Sequence, residues 1–176
     1  MRSLPDPGFA GDDGGVDPAV TAALAAYDTA IRADAPDPHP ATLAIVQDAR
    51  VLVPVVAVLG EVEYDEQGLA HDKTSDMAAV LLTGRDGRTA LLAFTGSETL
   101  TRWKDDARPV PVPVRQAAQA ALQDRASALV IDLAGPVQFV IEEEDLALLA
   151  QGHRLLQVGD RWAWVQAAGP GDADVH

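Results

Sequence analysis

Between Asp76 and Thr95 the chain reads D-M-A-A-V-L-L-T-G-R-D-G-R-T-A-L-L-A-F-T, two apolar runs on either side of G-R-D-G. This stretch constrains the fold more than any other. Asp86-Gly87 favours positive backbone angles in a tight turn, so Met77 to Thr83 and Thr89 to Thr95 are expected to pair as an antiparallel hairpin.

Helix and strand patterns alternate around that hairpin. Asp17 has the chemistry of an N-cap, with Pro18 at the first helical position and an Ala/Leu-rich run to about Arg32. D-A-P-D-P-H-P at 34–40 breaks this helix, and a second short one is expected from Ala41 to Asp48. V-L-V-P-V-V-A-V-L at 51–59 reads as a strand apolar on both faces, with a bulge or an unpaired side at Pro54. A polar insertion occupies 60–75. P-V-P-V-P-V, within 107–114, predicts a polyproline-like connector, and it lacks the P-x-x-P pattern of a ligand.

An alanine-rich helix is expected over Val114 to Arg125, then strands at Ala128 to Leu133 and Val137 to Ile141 with a turn at Gly135-Pro136. The acids Glu142 to Asp145 suit the positive end of a helix that runs to about Gln151, where Gly152 stops it. R-L-L-Q-V-G-D-R-W-A-W-V predicts a last hairpin turning at Gly159-Asp160, with Trp162 and Trp164 on one face. The expected fold class is α/β or α+β, a single domain with a mixed sheet that contains antiparallel hairpins and is flanked by helices. Residues 1–16, rich in Gly, Pro and Asp, predict a flexible arm that Leu4 and Phe9 could dock. The domain is expected over 17–168, with a disordered tail at 169–176.

With 176 residues, 48% of them hydrophobic, the chain suits one domain with a real core. A formal charge of −14 repels phosphates, which argues against nucleic-acid partners. The absence of cysteine excludes disulfides, thiolate zinc sites and cysteine nucleophiles. No apolar run approaches the roughly 18 residues of a membrane span, and Met1-Arg2 leads into no apolar signal segment. The expectation is a cytoplasmic protein without a membrane partner.

Chemistry is suggested most by L-L-A-F-T-G-S-E-T-L-T-R-W at 91–103. A nucleophile elbow centred on Ser97 needs glycines where Thr95 and Thr99 stand. It also needs a base, and His39, His71, His153 and His176 are all expected in loops or at termini. Thr95-Gly96-Ser97-Glu98 instead has capping-box spacing, with Thr95 capping the Glu98 amide and Leu100 and Trp103 on the buried helical face. Glu63 to Thr74 brushes a calcium-loop pattern but lacks the acid at its last position, so a solvated loop is the reading. His71-Asp72-Lys73 has no second polar cluster to work with, and no phosphate-binding glycine fingerprint occurs. No catalytic residue, metal site or cofactor is assigned. The residues singled out for ligand or partner binding are Phe94, Thr95, Ser97, Trp103, Trp162 and Trp164.

The order of V-L-V-P-V-V, a polar insertion, the 76–95 hairpin, Trp103, P-V-P-V, the alanine-rich helix and A-L-V-I-D-L-A-G-P resembles the SseB family. The arm L-P-D-P-G-F-A-G-D-D-G resembles its actinobacterial branch. The resemblance implies an α/β domain of unsettled molecular function, with no catalytic residues to carry over and without the second domain of longer members. Two departures stand out: Phe94-Thr95-Gly96 where many members have F-T-S, and Asp132-Leu133-Ala134-Gly135 where many have an N-P-G-G-like turn. The leading expectation is a non-enzymatic module that binds a protein partner. A small-metabolite (amino-acid) sensor and a hydrolase using Ser97 or Thr95 are the alternatives.

Overall fold

The computed structural model describes residues 9–58, 63–64, 70–71 and 76–166. Helix α1 spans Pro18–Arg32, and its start is the predicted one: the Asp17 carboxylate accepts the Ala19 amide at 2.8 Å, with Pro18 where no donor is needed. Helix α2 covers His39–Val46 and begins before the expected Ala41. The cause lies inside D-P-H-P: the Asp37 carboxylate takes the His39 amide at 3.0 Å, and the Pro38 carbonyl already accepts from Thr42 at 3.1 Å.

Strand β1 is Arg50–Val58, and β2 (Glu63–Tyr64) pairs with β3 (Ala70–His71) in a short antiparallel ladder. The rest of the polar insertion, and with it most of the calcium-loop pattern, lies outside the described residues, as does the 169–176 tail. Next come β4 (Asp76–Ala79), β5 (Leu81–Thr83), β6 (Thr89–Ala93), α3 (Ser97–Trp103) and β7 (Arg108–Pro113). Helix α4 (Val114–Gln123), β8 (Ala128–Ile131), β9 (Phe139–Glu142), α5 (Glu143–Ala150), β10 (His153–Val158) and β11 (Arg161–Gln166) complete the order. The expected G-R-D-G hairpin joins β5 to β6, with Gly87 at φ +81°. Both α5, headed by Glu143, Glu144 and Asp145, and the β10–β11 hairpin turning at Gly159 (φ +64°) follow the sequence reading.

Two sheets form the centre: an antiparallel one in the order β4-β1-β7, and a mixed one, β5-β6-β8-β9, in which β6 and β8 run parallel. They meet at a seam. Leu52 and Phe94 exchange backbone hydrogen bonds of 2.7 and 2.9 Å. Val80 donates to Pro54 at 3.2 Å and accepts from Leu92 at 3.2 Å, which splits the predicted Met77 to Thr83 strand between the two sheets. No bulge forms at Pro54, because β1 keeps unbroken register with β7. Its missing amide points to the seam, where β1 changes partner from Phe94 to β4.

The prolines of β7 correct the connector reading. Leu52 spends its backbone groups on Phe94, so Leu52 faces away from β7, and by alternation so do Arg50 and Pro54. Their partners Pro111, Pro113 and Pro109 therefore also turn outward. Val110, Val112 and Arg108, opposite Val53, Val51 and Val55, supply the inward donors. The segment is a strand on the sheet margin whose outward side offers few amides, a guard against edge-to-edge pairing.

Strand alternation divides the core. Leu91, Ala93, Leu129, Ile131, Phe139 and Ile141 point to the face covered by α4 and α5, while Leu92, Phe94 and Val130 point to the face covered by Leu100 and Trp103. The β10–β11 hairpin is fastened to α2. The Gln47 carboxamide pairs with both backbone groups of Leu155, at 2.8 and 2.9 Å, as a neighbouring strand would. Asp48 grips Arg154 with two bonds of 2.6 Å. Trp162 and Trp164 pack on the main core, and the Trp164 indole donates to Asp145 at 3.1 Å.

Candidate functional site

Because β6 and β8 are parallel neighbours, their carboxyl ends open side by side, the place where α/β sheets offer ligand sites. Thr95 follows β6 and Asp132 follows β8. Asp132 is 2% exposed and holds φ +57°, a left-handed conformation that Asp tolerates better than most residues. Its Oδ1 accepts the Thr95 amide at 2.8 Å and the Thr99 hydroxyl at 2.6 Å, and its Oδ2 accepts the Thr95 hydroxyl at 2.6 Å. One carboxylate thus ties the ends of two strands to the first turn of α3.

This arrangement overturns the capping box. Thr95 does not cap α3, because an ionised acceptor outcompetes a backbone amide for its hydroxyl. The N-cap is Gly96, extended and without a side-chain bond, and Glu98 pairs instead with Arg102 at 2.6 Å. The exposed amide of Ser97 is satisfied by the N-terminal arm, through the Gly14 carbonyl at 2.8 Å.

Residues 9–16 of that arm lie against the domain. Arg50, at the start of β1, binds the Asp12 carboxylate at 2.6 Å, the Gly15 carbonyl at 2.5 Å and the Thr95 carbonyl at 3.0 Å. Two glycines permit the close approach. A Cβ on Gly14, which sits at φ +76°, would fall 1.9 Å from Ser97 Oγ; one on Gly96 would fall 2.6 Å from Val16 Cγ2 and 3.0 Å from the Gly14 carbonyl.

The arm, α1, α3 and the loop after β8 enclose a cleft of about 450 Å³. Val16, Leu24, Ala25 and Val137 form much of its apolar wall, while Thr95, Thr99 and Asp132 face it from the strand ends. Two further carboxylates on the wall are paired within their own helices, Asp28 with Arg32 at 2.7 Å and Glu98 with Arg102. Asp132 alone of the three has hydroxyls and an amide as partners and no cation among the described residues.

Of the six residues singled out in the sequence, only Thr95 lines this cleft. Phe94 is fully buried, with the Trp103 ring 5.5 Å from its own, so both serve the core. Ser97 is exposed beneath the arm. His39 pairs with Asp145 at 3.3 Å and stacks on Phe139, and the buried Nδ1 of His153 has no hydrogen-bond partner among the described residues, so neither serves Ser97 as a base. Trp162 and Trp164 lie half-buried against the main core. Asp132, Thr99 and Arg50 were missed. For Asp132 the available signal was a single acid placed directly after the all-buried strand A-L-V-I.

Among the described residues no helix is long and apolar enough to cross a membrane, and no cluster of His, Asp or Glu is placed to hold a metal ion. No curated protein and no solved structure matches the chain. The family of the SseB protein N-terminal domain matches residues 20–148, a span that holds both sheets, helices α2 to α4 and every residue named on the cleft wall except Val16. The chain belongs to the SseB family.

Proposed function

We propose that this domain is a non-enzymatic adaptor that receives part of a protein partner in the cleft between α1 and α3. The observation that carries the reading is the position of that cleft, at the carboxyl ends of parallel strands, with a few polar groups converging on an apolar wall. The state of the hydroxyls supports a binding role over turnover. Among the described residues Ser97 has no base beside it, and Thr95, which has a carboxylate, is 5% exposed and committed to holding two strand ends together. The cleft volume favours one second reading, a small-metabolite sensor, since about 450 Å³ falls in the range of small-molecule sites. The anionic charge supports a protein that avoids nucleic acid, and the arm sequence supports the actinobacterial branch.

Ala25 is exposed on α1 and faces the cleft, so Ala25→Trp fills the space without removing a contact. Affinity capture with mass spectrometry, run on the wild type and on this variant, tests the proposal. Partners retained by the wild type and lost from Ala25→Trp support it. Identical partner sets from the two proteins refute the cleft as the binding place. Thermal stabilisation by a small metabolite, abolished by the same substitution, selects the sensor reading.

A further inference from the structure

This inference rests on the cleft being the binding place and concerns what the cleft takes. A carboxylate offers about four acceptor positions. At Asp132 the protein fills three: two on Oδ1, from the Thr95 amide and the Thr99 hydroxyl, and one on Oδ2, from the Thr95 hydroxyl. The remaining position is on Oδ2, and Asp132 lines the cleft. The group is nearly sealed from solvent, at 2% exposure, and no basic side chain pairs with it among the described residues.

A buried charge that lacks a counter-ion is costly, and a charged donor is the partner that offsets it best. Asp28 and Glu98 are each balanced by a guanidinium, of Arg32 and Arg102, so the charge at the cleft left without a counter-ion among the described residues is that of Asp132, within a chain of net charge −14. An anionic ligand meets repulsion there. A neutral one leaves Asp132 uncompensated. On the same wall Leu24, Ala25 and Val137 offer apolar surface suited to methylenes.

We propose that the cleft binds a primary ammonium or guanidinium group carried on a short aliphatic stem, with Asp132 Oδ2 as its acceptor and counter-ion. A free amine or a lysine or arginine side chain of a protein partner presents this same chemistry.

The probes are agmatine, n-pentylamine, n-pentanol and valerate, together with a short arginine-containing peptide and its alanine counterpart. They are titrated into the full chain by calorimetry, with amide shifts of Thr95 and Thr99 as a site-specific readout. Agmatine or pentylamine binding, with pentanol and valerate at least tenfold weaker, is the expected result. Binding weakens as salt rises. Tighter binding of the arginine peptide than of agmatine identifies a protein side chain as the source, and the reverse identifies a free amine.

Asp132→Asn keeps the size of the side chain and its tolerance of the left-handed conformation while removing the charge. It should weaken amine binding roughly ten- to hundredfold, as expected for loss of a charged hydrogen bond. Should that variant fail to fold, Ala25→Lys and Ala25→Gln provide the comparison. The first brings the protein's own ammonium into the cleft and should block the amine far more than the second. Equal affinity for amine and alcohol, or equal affinity in wild type and Asp132→Asn, overturns the inference. If a neutral or anionic probe binds and Ala25→Trp abolishes its binding, the cleft remains the binding place while its cation preference is refuted.

Discussion

Removing the Asp132 carboxylate should cost more stability than any other single change at the strand ends. In Asp132→Ala the Thr95 amide, at a position 5% exposed, loses its only named acceptor, a penalty of about 1–3 kcal/mol. The Thr95 hydroxyl is stranded with it, whereas Thr99 keeps the Gly96 carbonyl at 3.1 Å. Alanine at φ +57° adds about 1–2 kcal/mol of backbone strain. The total is roughly 3–5 kcal/mol, a large part of the 5–15 kcal/mol typical of a domain.

Two companion substitutions separate these contributions. Asp132→Asn retains an acceptor oxygen and suits the left-handed backbone, so it should cost about 1 kcal/mol or less. Asp132→Gly loses the acceptors but relieves the strain, so it should fall between Asn and Ala. That order inverts the usual one, in which Gly is about 0.5–1 kcal/mol worse than Ala in regular structure. Urea unfolding followed by the fluorescence of Trp103, Trp162 and Trp164 gives the three values, provided the slope m is unchanged. If all three variants lie within about 1 kcal/mol of wild type, the carboxylate does not hold the strand ends and the reasoning fails.

Other consequences concern the edge, the arm and the turn. Val110→Pro should destabilise by about 2–3 kcal/mol by deleting a donor that faces β1, while Pro109→Val, on the outward phase of the same strand, should stay within about 0.5 kcal/mol. Chemical denaturation of both variants checks this, and equal losses refute the assigned phase. Gly96→Ala should displace Val16 and the Gly14 carbonyl, speeding amide hydrogen exchange at Ser97 relative to Thr99; unchanged exchange argues against a seated arm. At the hairpin turn, the Arg88 hydrogen bond at 2.7 Å holds the Asp86 carboxyl below the ordinary carboxylate range. The sign follows from that depression: the pair stabilises the fold above the unfolded carboxylate pKa and loses this effect as pH falls through the depressed one. Arg88→Gln should raise the Asp86 midpoint in an NMR titration, and a midpoint left where it was refutes the assignment.

What the sequence made legible is what local chemistry decides. Asp17-Pro18 starts α1 because cap and proline act within one turn, and Asp86-Gly87 turns the hairpin for a similar reason. Thr95 was misread although its T-x-x-E spacing is real, because the competing acceptor lies 37 residues away. No window on the local sequence contains that carboxylate. P-V-P-V-P failed differently. Its period of two was visible, but its meaning depends on which phase faces a partner, and the seam at Leu52 and Phe94 fixes that phase. Gln47 standing in for a strand beside Leu155 is likewise a long-range pairing that no motif announces.

The two departures from the family pattern now have separate physical accounts. Gly96 stands where the resemblance places a serine, and a Cβ there would fall 2.6 Å from Val16 Cγ2 and 3.0 Å from the Gly14 carbonyl, so the arm as seated needs the glycine. Asp132 stands where the resemblance places an asparagine, and both residues meet the same backbone demand, φ +57° at the end of a buried strand. Asparagine also accepts the Thr95 amide and the Thr99 hydroxyl through one oxygen. The architecture of the strand ends is therefore common to the two residues, and only the charge distinguishes them. Asp132→Asn accordingly divides two roles that lie in one side chain. If stability survives and amine binding is lost, the fold role is shared with the asparagine pattern while the cation preference belongs to this chain.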